Sequence, residues 1–332
     1  MLLRLRSIPG LQISENVPLS QCTRFGIGGP ARWLVDAASE MALTAALATL
    51  REHGIPHTVV GGGTNLIASD SGFPGAIVRY TNASIDILPD GILPDDILPD
   101  DIDPQKSRVR VAAGAVLQDL VDGTIERGLA GLETLTGIPG WVGGAIYGNA
   151  GAYGHSIHER IRTVTFLDLD RTGARTIDNS ACEFRYRDSV FKRKKDWIIL
   201  SAELQLGRAP AAGLMEAASC IRKIRDEKYP PAMRCAGSIF KNLLFAELPA
   251  AARAQVPAHV IREGKVPSAY FLQQADAKGL VLGGMKVADY HANLIYNQGG
   301  GTAGELRQLI AELKRRVFER FGIALEEEVQ YI

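Results

Sequence analysis

The hydrophobic and polar positions switch between helical and strand periodicity along the chain, which predicts mixed α and β structure. Ser39 precedes a segment with apolar residues at helical spacing, and Gly54 lies where a left-handed residue would end that helix. The apolar face of this helix carries Leu43, Leu47 and Leu50. The β-prone run 57–60 follows and leads directly into the glycines at 61–63. The pattern therefore predicts a helix and then a strand that ends at a glycine-rich turn.

The same patterns continue downstream. A capping box, Thr302 to Glu305, predicts the start of a helix that Gly322 would end. Gly207 to Gly213 interrupts the composition, and we expect a domain boundary near residue 207. Further strands are predicted at 76–80, 108–113, 163–169 and 197–206. A second helix is predicted from the apolar residues Leu117, Leu120, Val121 and Ile125, with Gly128 at its end. Residues 323–331 are predicted to form a terminal strand or tail.

A repeat of Ile-Leu-Pro-Asp occupies residues 87–90, 92–95 and 97–100 within a low-complexity insertion, 85–104. Prolines and acids at a five-residue period exclude a helix or a central strand. We interpret the insertion as an exposed expansion of a hairpin loop and assign it no catalytic role, because loops tolerate added length at little cost.

Composition narrows the classes of function. Lys plus Arg equals Asp plus Glu at 37 each, so no long-range field draws the chain to nucleic acid or an anionic membrane. The cysteines are widely spaced without a C-x-x-C pair, which argues against a disulfide framework and a bound metal. No apolar run reaches the ~18 residues of a membrane span, and the N-terminus lacks a signal-peptide core. We expect a cytoplasmic protein of two or three units, compatible with a monomer, whose partners are small molecules.

Two glycine-rich segments carry the candidate chemistry. Residues 61–66 follow a predicted strand and form a candidate anion nest, although they match neither a Walker A loop nor a Rossmann fingerprint. Residues 136–154 concentrate glycine, asparagine and small side chains, which lets the backbone approach a flat or anionic group. Together they predict a cradle for the two phosphates of a dinucleotide, with structural turns as the competing explanation for each segment.

A series of short motifs then occurs in a fixed order over nearly the whole chain, apart from the repeat. They are 16–20, 23–30, 60–66, 137–140, 149–154, 186–192, 236–242, 291–297 and 325–329. In this order they resemble the UDP-N-acetylenolpyruvoylglucosamine reductase family, bacterial cell-wall enzymes of the vanillyl-alcohol-oxidase-like FAD superfamily. The short distance from Arg187 to Ser238 is similar to the short-form subgroup of that family.

The resemblance implies an α+β fold. An FAD-binding fold of the vanillyl-alcohol-oxidase/PCMH type would comprise subdomains at 1–80 and 81–207, and a substrate-binding domain at 208–332 would return its tail to the active site. It implies NADPH-dependent reduction of UDP-N-acetylglucosamine enolpyruvate to UDP-N-acetylmuramate, a peptidoglycan precursor, through non-covalent FAD. The residues expected to bind FAD are Gly61, Gly62, Gly63, Thr64, Asn65, Leu66, Thr136, Gly137, Ile138, Pro139, Gly140, Gly143, Gly144, Asn149, Ala150, Gly151 and Ala152.

The resemblance also assigns catalytic residues. Arg187 is similar to an arginine that stabilises the developing charge on the substrate carboxylate, with a surface salt bridge to Asp188 as the alternative from pattern alone. Ser238 resembles the proton donor to C2 and needs a hydrogen-bond partner, for which Lys241, Asn242 and Arg187 are candidates. Glu328 aligns with a tail glutamate that stabilises or protonates the intermediate.

Four further residues are expected by resemblance to border the substrate or the nicotinamide: Tyr186, Lys241, Asn242 and His291. A packed aromatic and a core histidine are the alternatives for Tyr186 and His291. The chain departs from the family pattern at Thr64, Leu243 and Glu327, where serine, proline and proline are usual.

Two other functions compete with this one. An oxidase or dehydrogenase could use the same FAD scaffold on another sugar or alcohol, and a catalytically silent nucleotide-binding scaffold would retain the cradle alone.

Overall fold

The structure is a computed structural model that describes residues 1–88, 106–171 and 173–332. The chain divides into two compact units. Unit 1 comprises Met1–Glu15, Trp33–Gly62 and Gly75–Glu227, and unit 2 comprises Asn16–Arg32, Gly63–Pro74 and Lys228–Ile332.

Helices occur in both units. The described α-helices are α1 (Leu2–Arg6), α2 (Glu40–Glu52), α3 (Leu117–Glu126), α4 (Val142–Tyr147), α5 (Val190–Arg193), α6 (Ala211–Lys228), α7 (Ala250–Arg253), α8 (Ser268–Gln274) and α9 (Ala303–Phe321). Short 3-10 turns lie at Leu19–Gln21, Glu133–Leu135, Ile157–Glu159, Ser180–Cys182, Phe245–Glu247 and Ala258–Val260.

The described strands are more numerous and mostly short. They are β1 (Leu11–Pro18), β2 (Pro30–Ala37), β3 (His57–Val59), β4 (Leu66–Ile67), β5 (Phe73–Tyr80), β6 (Ile85–Leu88), β7 (Lys106–Ala112), β8 (Leu129–Ala130), β9 (Gly151–Ala152), β10 (His155–Ser156), β11 (Ile161–Asp168), β12 (Ala174–Asp178), β13 (Trp197–Arg208), β14 (Leu243–Leu244), β15 (Lys265–Val266), β16 (Val281–Leu282), β17 (Met285–Val287), β18 (Ile295–Asn297) and β19 (Gln330–Tyr331).

Unit 1 is built on two sheets. The first, to which unit 1 contributes most residues, has strand order β1-β2-β5-β3, with β3 parallel to β5. The second has order β12-β11-β13-β7-β6 with antiparallel neighbours, and β8 pairs with the end of β13. Along β13 the side chains of Leu200, Ala202, Leu204 and Leu206 are buried. They alternate with less buried residues, so one face of the strand packs into the core of unit 1.

The helices of unit 1 cover this core with the faces that the sequence predicts. The predicted helix after Ser39 is α2, where the Ser39 hydroxyl accepts a hydrogen bond from Ala42 N–H at 3.2 Å and Gly54 has φ +63°. Leu43, Leu47 and Leu50 are fully buried. The predicted helix closed by Gly128 is α3, so both predictions from apolar periodicity are confirmed.

Unit 2 has its own core. A three-stranded antiparallel sheet, β16-β17-β18, packs with α8 and α9, and β4 pairs in parallel with β19 of the C-terminal tail. The predicted helix from Thr302 to Gly322 is α9, which begins with the complete capping box and ends at Gly322 in a left-handed conformation. Its buried side is formed by Leu306, Leu309, Ile310, Leu313, Val317 and Phe321.

The start of α9 carries a second cap that the sequence does not reveal. The Asp70 carboxylate accepts hydrogen bonds from the N–H groups of Ala303 and Gly304, each at 2.8 Å. A carboxylate at this end of a helix satisfies unpaired donors and interacts favourably with the helix dipole.

Replacing Asp70 with alanine is therefore expected to lower the free energy of unfolding by about 1–2 kcal/mol. Urea denaturation followed by circular dichroism measures the change, with the substitution of the neighbouring exposed Ser71 by alanine as the control. Equal stability of the two variants would contradict the capping role.

The sequence predicts no helix directly after Gly207, whereas α6 begins at Ala211 and accommodates Gly213 in its first turn. Residues 208–227 accordingly lie in unit 1. The predicted division at residues 80 and 207 into functional domains stays a prediction.

The repeat insertion lies mostly outside the described residues, which exclude 89–105. Its first residues form β6, which pairs with β7 at the edge of the second sheet, with Ile87 opposite Val109. Within the described ranges, none of the helices combines the length and the apolar character that a membrane crossing requires.

Candidate active site

The first glycine-rich segment passes from unit 1 to unit 2 between Gly62 and Gly63. A Cβ atom on Gly62 would lie 3.1 Å from Cδ1 of Trp141 and 3.3 Å from Cα of Gly140, which leaves little room for a side chain. A Cβ atom on Gly61 would meet nothing closer than 3.8 Å, at Cβ of Trp141. Within unit 1, the two glycine-rich segments therefore lie side by side.

The second segment enters helix α4 through two glycines with different surroundings. A Cβ atom on Gly143 would lie 2.9 Å from Cβ of Ala113, and the Gly143 N–H donates to the Ala113 carbonyl at 2.8 Å. Around the Cβ position of Gly144, by contrast, the described residues beyond its chain neighbours and its own helix backbone place no atom within 4 Å. Packing thus explains Gly143 and leaves open space at Gly144.

Packing also explains two other glycines that were predicted to contact a cofactor. A Cβ atom on Gly63 would overlap the carbonyl oxygen of Cys22, and one on Gly151 would overlap the carbonyl oxygen of His155 across the β9-β10 hairpin. These positions need glycine whether or not a ligand binds.

The remaining features fit an FAD molecule. Gly144 leaves open space beside the backbone, and a Cβ atom on Gly61 would make only ordinary van der Waals contacts, so a flat or anionic group can approach the backbone at Gly144 closely. The Thr136 hydroxyl is buried, with the residue 2% exposed, and has no hydrogen-bond partner among the described residues. Because buried polar atoms normally have a partner, this hydroxyl suits a polar group of a bound ligand.

The other predicted cofactor residues lie in the connections around α4. The Gly137 N–H donates to Oε1 of Gln118 at 2.7 Å, and Ile138 and Pro139 continue this loop toward α4. After α4, the Ala150 N–H donates to the Ala145 carbonyl at 2.7 Å. Gly151 and Ala152 form β9.

Asn149 connects this segment to the predicted catalytic arginine. Its Nδ2 donates to the carbonyl of Arg185 at 2.8 Å, and its Oδ1 accepts from the His158 N–H at 3.4 Å. The residue is 3% exposed and has φ +44°. Its side chain therefore supports the turn that follows Arg185, a role that the sequence did not indicate.

That turn carries Tyr186 and Arg187 between residues that exchange backbone hydrogen bonds, Arg185 and Asp188. Arg187 has φ +55°, a conformation that side-chain-bearing residues rarely adopt and that is typical of functional sites. Its Nη2 donates to the Gly151 carbonyl at 3.0 Å, and its guanidinium lies 5.3 Å from the centre of the Tyr186 ring. The turn thus brings Arg187 to the glycine-rich segment of unit 1.

Asp188, the alternative ion-pair partner of Arg187, contacts another arginine. The Asp188 carboxylate is bound by Arg193, which also contacts Glu183 at 2.5 Å. The Arg187 carbonyl accepts a hydrogen bond from the Lys192 ammonium at 2.7 Å, which helps to hold the strained backbone.

In unit 2, Ser238 lies in an extended segment. Two other segments of the chain form backbone contacts with it, one on each side. Gly237 before it has φ +78°, and Ser238 forms an isolated bridge with Leu294. On the other side, the Glu328 N–H donates to the Ile239 carbonyl at 2.7 Å. The structure therefore brings Ser238 and Glu328, far apart in sequence, to neighbouring positions in unit 2.

Asn293 fixes this segment through its side chain. Its Oδ1 accepts from the Phe240 N–H at 2.9 Å, and its Nδ2 donates to the Phe240 carbonyl at 2.8 Å. The residue is 3% exposed, so both bonds are shielded from water. Asn293 lies in one of the sequence motifs, but nothing in the local sequence indicates its partner or its role.

The three adjacent glutamates of the tail have different partners. Glu326 pairs with the ammonium of Lys241. Glu327 pairs with Lys314 at 2.9 Å and accepts a hydrogen bond from the Tyr331 hydroxyl, and burial together with Glu327 raises the pKa of that phenol. These contacts give Glu326 and Glu327 structural roles.

The end of the first glycine-rich segment holds this tail. Asn65 Nδ2 donates to the Glu328 carbonyl at 2.9 Å, and the Asn65 carbonyl accepts from the Gln330 N–H at 2.9 Å. Leu66 then pairs with Gln330 in the β4-β19 ladder, and Thr64 lies just before Asn65. Asn65 and Leu66, predicted to bind the cofactor, thus position the tail glutamate.

The hydroxyl of Ser238 has a hydrogen-bond partner that was not among the three predicted ones. The Tyr229 hydroxyl lies 3.3 Å from the Ser238 Oγ, and either oxygen can donate. Tyr229 follows directly after α6 and precedes Pro230, and this local sequence carries no signal for the contact.

His291 and Asn242 complete the predicted set. Asn242 directly precedes β14. Nδ1 of His291 accepts a hydrogen bond from the Asn293 N–H at 3.3 Å, the backbone contact expected of a core histidine. Burial of the ring, aided by the charges of Lys228 and Lys278, lowers the pKa of His291 to about 4.

This lowered pKa makes the stability of the protein depend on pH. Between about pH 6.5 and 4 the unfolded chain binds a proton at His291 that the folded chain excludes, so stability falls as the pH falls through this window, by up to roughly 3 kcal/mol. His291→Gln should lose this component, and urea denaturation at a series of pH values measures it. The exposed His259→Gln variant is the control, and unchanged pH dependence in His291→Gln would refute the prediction.

Two protein-family models match the chain. The first covers both glycine-rich segments, and the second covers the segment that carries Ser238. Residues 31–173 match the model described as FAD binding domain. Residues 229–332 match the model described as UDP-N-acetylenolpyruvoylglucosamine reductase, C-terminal domain. The predicted class, an α+β fold that joins an FAD-binding region to a substrate domain, is confirmed.

Relatives that match over nearly the full length of the chain carry the same reductase name as the C-terminal family model. The chain is 55% identical to UDP-N-acetylenolpyruvoylglucosamine reductase from Solibacter usitatus, over 99% of this chain and 100% of the relative. It is 32% identical to the enzyme of that name from Bacillus licheniformis, over 97% of this chain and 94% of the relative. The crystal structure of the Thermus caldophilus reductase has the same fold, with a TM-score of 0.71, 24% identity and coverage of 97% and 99% of the two chains.

Proposed function

Because the chain belongs to the UDP-N-acetylenolpyruvoylglucosamine reductase family, we propose that it reduces UDP-N-acetylglucosamine enolpyruvate to UDP-N-acetylmuramate, with NADPH as reductant and FAD as cofactor. The observation that carries the proposal is the 55% identity to a relative over the full length of both chains. The product is a precursor of peptidoglycan, so the activity would serve cell-wall synthesis.

FAD would be held in unit 1 by the two glycine-rich segments, at the open position beside Gly144, at the adjoining Gly61 and at the Thr136 hydroxyl. When bound, it takes two electrons from NADPH and supplies them as hydride to C3 of the enolpyruvyl group. The fit of these residues supports the FAD-binding role of 1–80 and 81–207, and the family match at 229–332 supports the substrate role of 208–332.

Arg187 would stabilise charge on the substrate. Addition of hydride at C3 places negative charge on C2 and the attached carboxylate. A guanidinium binds a carboxylate through two parallel hydrogen bonds, and the strained backbone of Arg187 fixes the direction of its side chain.

Ser238 and Glu328 would complete the reaction at C2. We assign Ser238 as the proton donor, since its hydroxyl is hydrogen-bonded and its backbone is fixed by Leu294 and Asn293. Glu328 lies beside this segment and would stabilise or protonate the intermediate. Tyr186, Lys241, Asn242 and His291 are proposed to border the substrate or the nicotinamide.

Within the described part of the chain, the thiols of Cys182, Cys220 and Cys235 are free, which supports a cytoplasmic location as our proposal.

Anaerobic spectrophotometry tests the function. The yellow absorption of the purified protein should bleach on addition of NADPH and return on addition of UDP-N-acetylglucosamine enolpyruvate, with a product two hydrogens heavier by mass spectrometry. Bleaching by an alcohol without NADPH would instead identify an oxidase or dehydrogenase. Protein that stays colourless after reconstitution with FAD would identify a silent scaffold.

A further inference from the structure

Ser238 has a chemical difficulty as a proton donor. An aliphatic hydroxyl is a far weaker acid than a phenol, and the alkoxide that remains after proton transfer is costly to form in a partly buried site. This cost is avoided if a neighbouring group donates a proton to the serine oxygen while the serine delivers its own proton to C2.

Tyr229 is placed to be that group. Its hydroxyl lies 3.3 Å from the Ser238 Oγ within unit 2. The Lys228 ammonium lies 5.0 Å from the centre of the Tyr229 ring, and the His291 ring lies 6.4 Å away on centroid distance. The Lys228 carbonyl also accepts a hydrogen bond from the Tyr290 hydroxyl at 3.0 Å, which anchors the chain next to Tyr229. The ring is therefore held on several sides, with a cation beside it.

We propose that Tyr229 is a positioning residue for Ser238 and that its phenol replaces the proton that Ser238 delivers to C2. This inference rests on the proposed function. As the C2–H bond forms, the Ser238 O–H bond breaks, and the Tyr229 O–H proton moves to the Ser238 oxygen. The negative charge then lies on the Tyr229 phenolate, beside whose ring the Lys228 ammonium lies, until a proton from water restores the phenol.

The sequence alone leaves Lys241, Asn242 and Arg187 as candidate partners of Ser238. The structure gives Lys241 an ion pair with Glu326. A tyrosine at position 229 supplies what an ammonium or an amide does not, namely a hydroxyl that both accepts from serine and donates to it.

A double-mutant cycle tests the inference through Tyr229→Phe, which keeps the ring and removes the hydroxyl. Bleaching by NADPH should stay within about twofold of the wild type, while return of colour with the enolpyruvyl substrate should slow by about tenfold or more, since general acid catalysis contributes ~100-fold or more. In a Ser238→Ala background, Tyr229→Phe should add less than about twofold, because Tyr229 acts only through Ser238. Equal effects in both backgrounds would overturn the proposal.

Tyr270→Phe is the matched control. Its hydroxyl donates to the Gln255 carbonyl at 2.7 Å in the same unit, so the variant loses a tyrosine hydrogen bond of a different kind. We expect wild-type rates from it. Thermal denaturation of both variants checks that they fold.

A second readout is independent of activity and does not need the Tyr229→Phe variant. In protein labelled at tyrosine Cζ with carbon-13, the Tyr229 resonance is assigned through its contacts with the His291 ring. It should shift in Ser238→Ala, whereas the Tyr270 resonance should not. An unmoved Tyr229 resonance would refute the hydrogen bond.

The outcomes separate the two hypotheses. If wild-type protein fails to regain colour with the enolpyruvyl substrate, the proposed function is wrong. If the wild type and Ser238→Ala behave as expected but Tyr229→Phe matches the wild type, only the role of Tyr229 is wrong.

Discussion

Substitution of Ser238 by alanine is expected to slow reduction of the enolpyruvyl substrate by at least ~100-fold while bleaching by NADPH proceeds at the wild-type rate. The reason is that the alanine methyl group cannot donate a proton to C2, whereas the first half-reaction requires no proton from this residue. The fixed backbone around Ser238, with its bridge to Leu294, should let the variant fold normally.

Anaerobic stopped-flow absorbance measures both half-reactions separately. The Ser71→Ala variant, which removes an exposed hydroxyl in the same unit, is the control and should behave as the wild type. Near-wild-type return of colour in Ser238→Ala would mean that another residue supplies the proton, and Glu328 would be the next to test.

Substitution of Arg187 by lysine is expected to lower kcat/KM for the enolpyruvyl substrate by about 100-fold, in the range found when one stabilising donor is removed from a transition state. Lysine keeps the positive charge but has no planar fork for a carboxylate. It also loses the hydrogen bond from Nη2 to the Gly151 carbonyl.

The neighbouring Arg185→Lys variant is the control, because the exposed Arg185 contributes its backbone to the turn. Steady-state kinetics with varied substrate should show the loss mainly in kcat, since the charge develops in the transition state. A loss confined to KM would indicate that Arg187 only binds the substrate.

Local signals predicted the helices well. Ser39 and Gly54 delimit α2, and Thr302 and Gly322 delimit α9, because caps and apolar periodicity act over a few residues. Helix α6 escaped prediction because Pro210 and Gly213 at its start resemble a break, although proline is tolerated there.

The division of the chain into two units could not be predicted from local sequence signals, because each unit combines segments that are not continuous in sequence. Unit 2 includes Asn16–Arg32 and Gly63–Pro74 from early in the chain as well as Lys228–Ile332. Pairing of β4 with β19 and capping of α9 by Asp70 join these segments across more than two hundred residues. Composition and local pattern carry no information on such pairings.

For the candidate site, the sequence by itself determined the chemistry: two glycine-rich segments, an arginine, a serine and a tail glutamate in an order that resembles one reductase family. Only the tertiary structure decided how they are used. It separated the glycines that packing requires, Gly63, Gly143 and Gly151, from Gly144, which borders open space, and Gly61, where a Cβ atom would make only ordinary contacts.

The structure also engaged Glu326 and Glu327 in ion pairs and placed Tyr229 against Ser238. Residue types determine which reactions are chemically possible. Hydrogen-bond partners and open space depend instead on how segments that are distant in sequence pack against one another. The glycine-rich segments could therefore be recognised in the sequence, whereas Tyr229 as the hydrogen-bond partner of Ser238 could not.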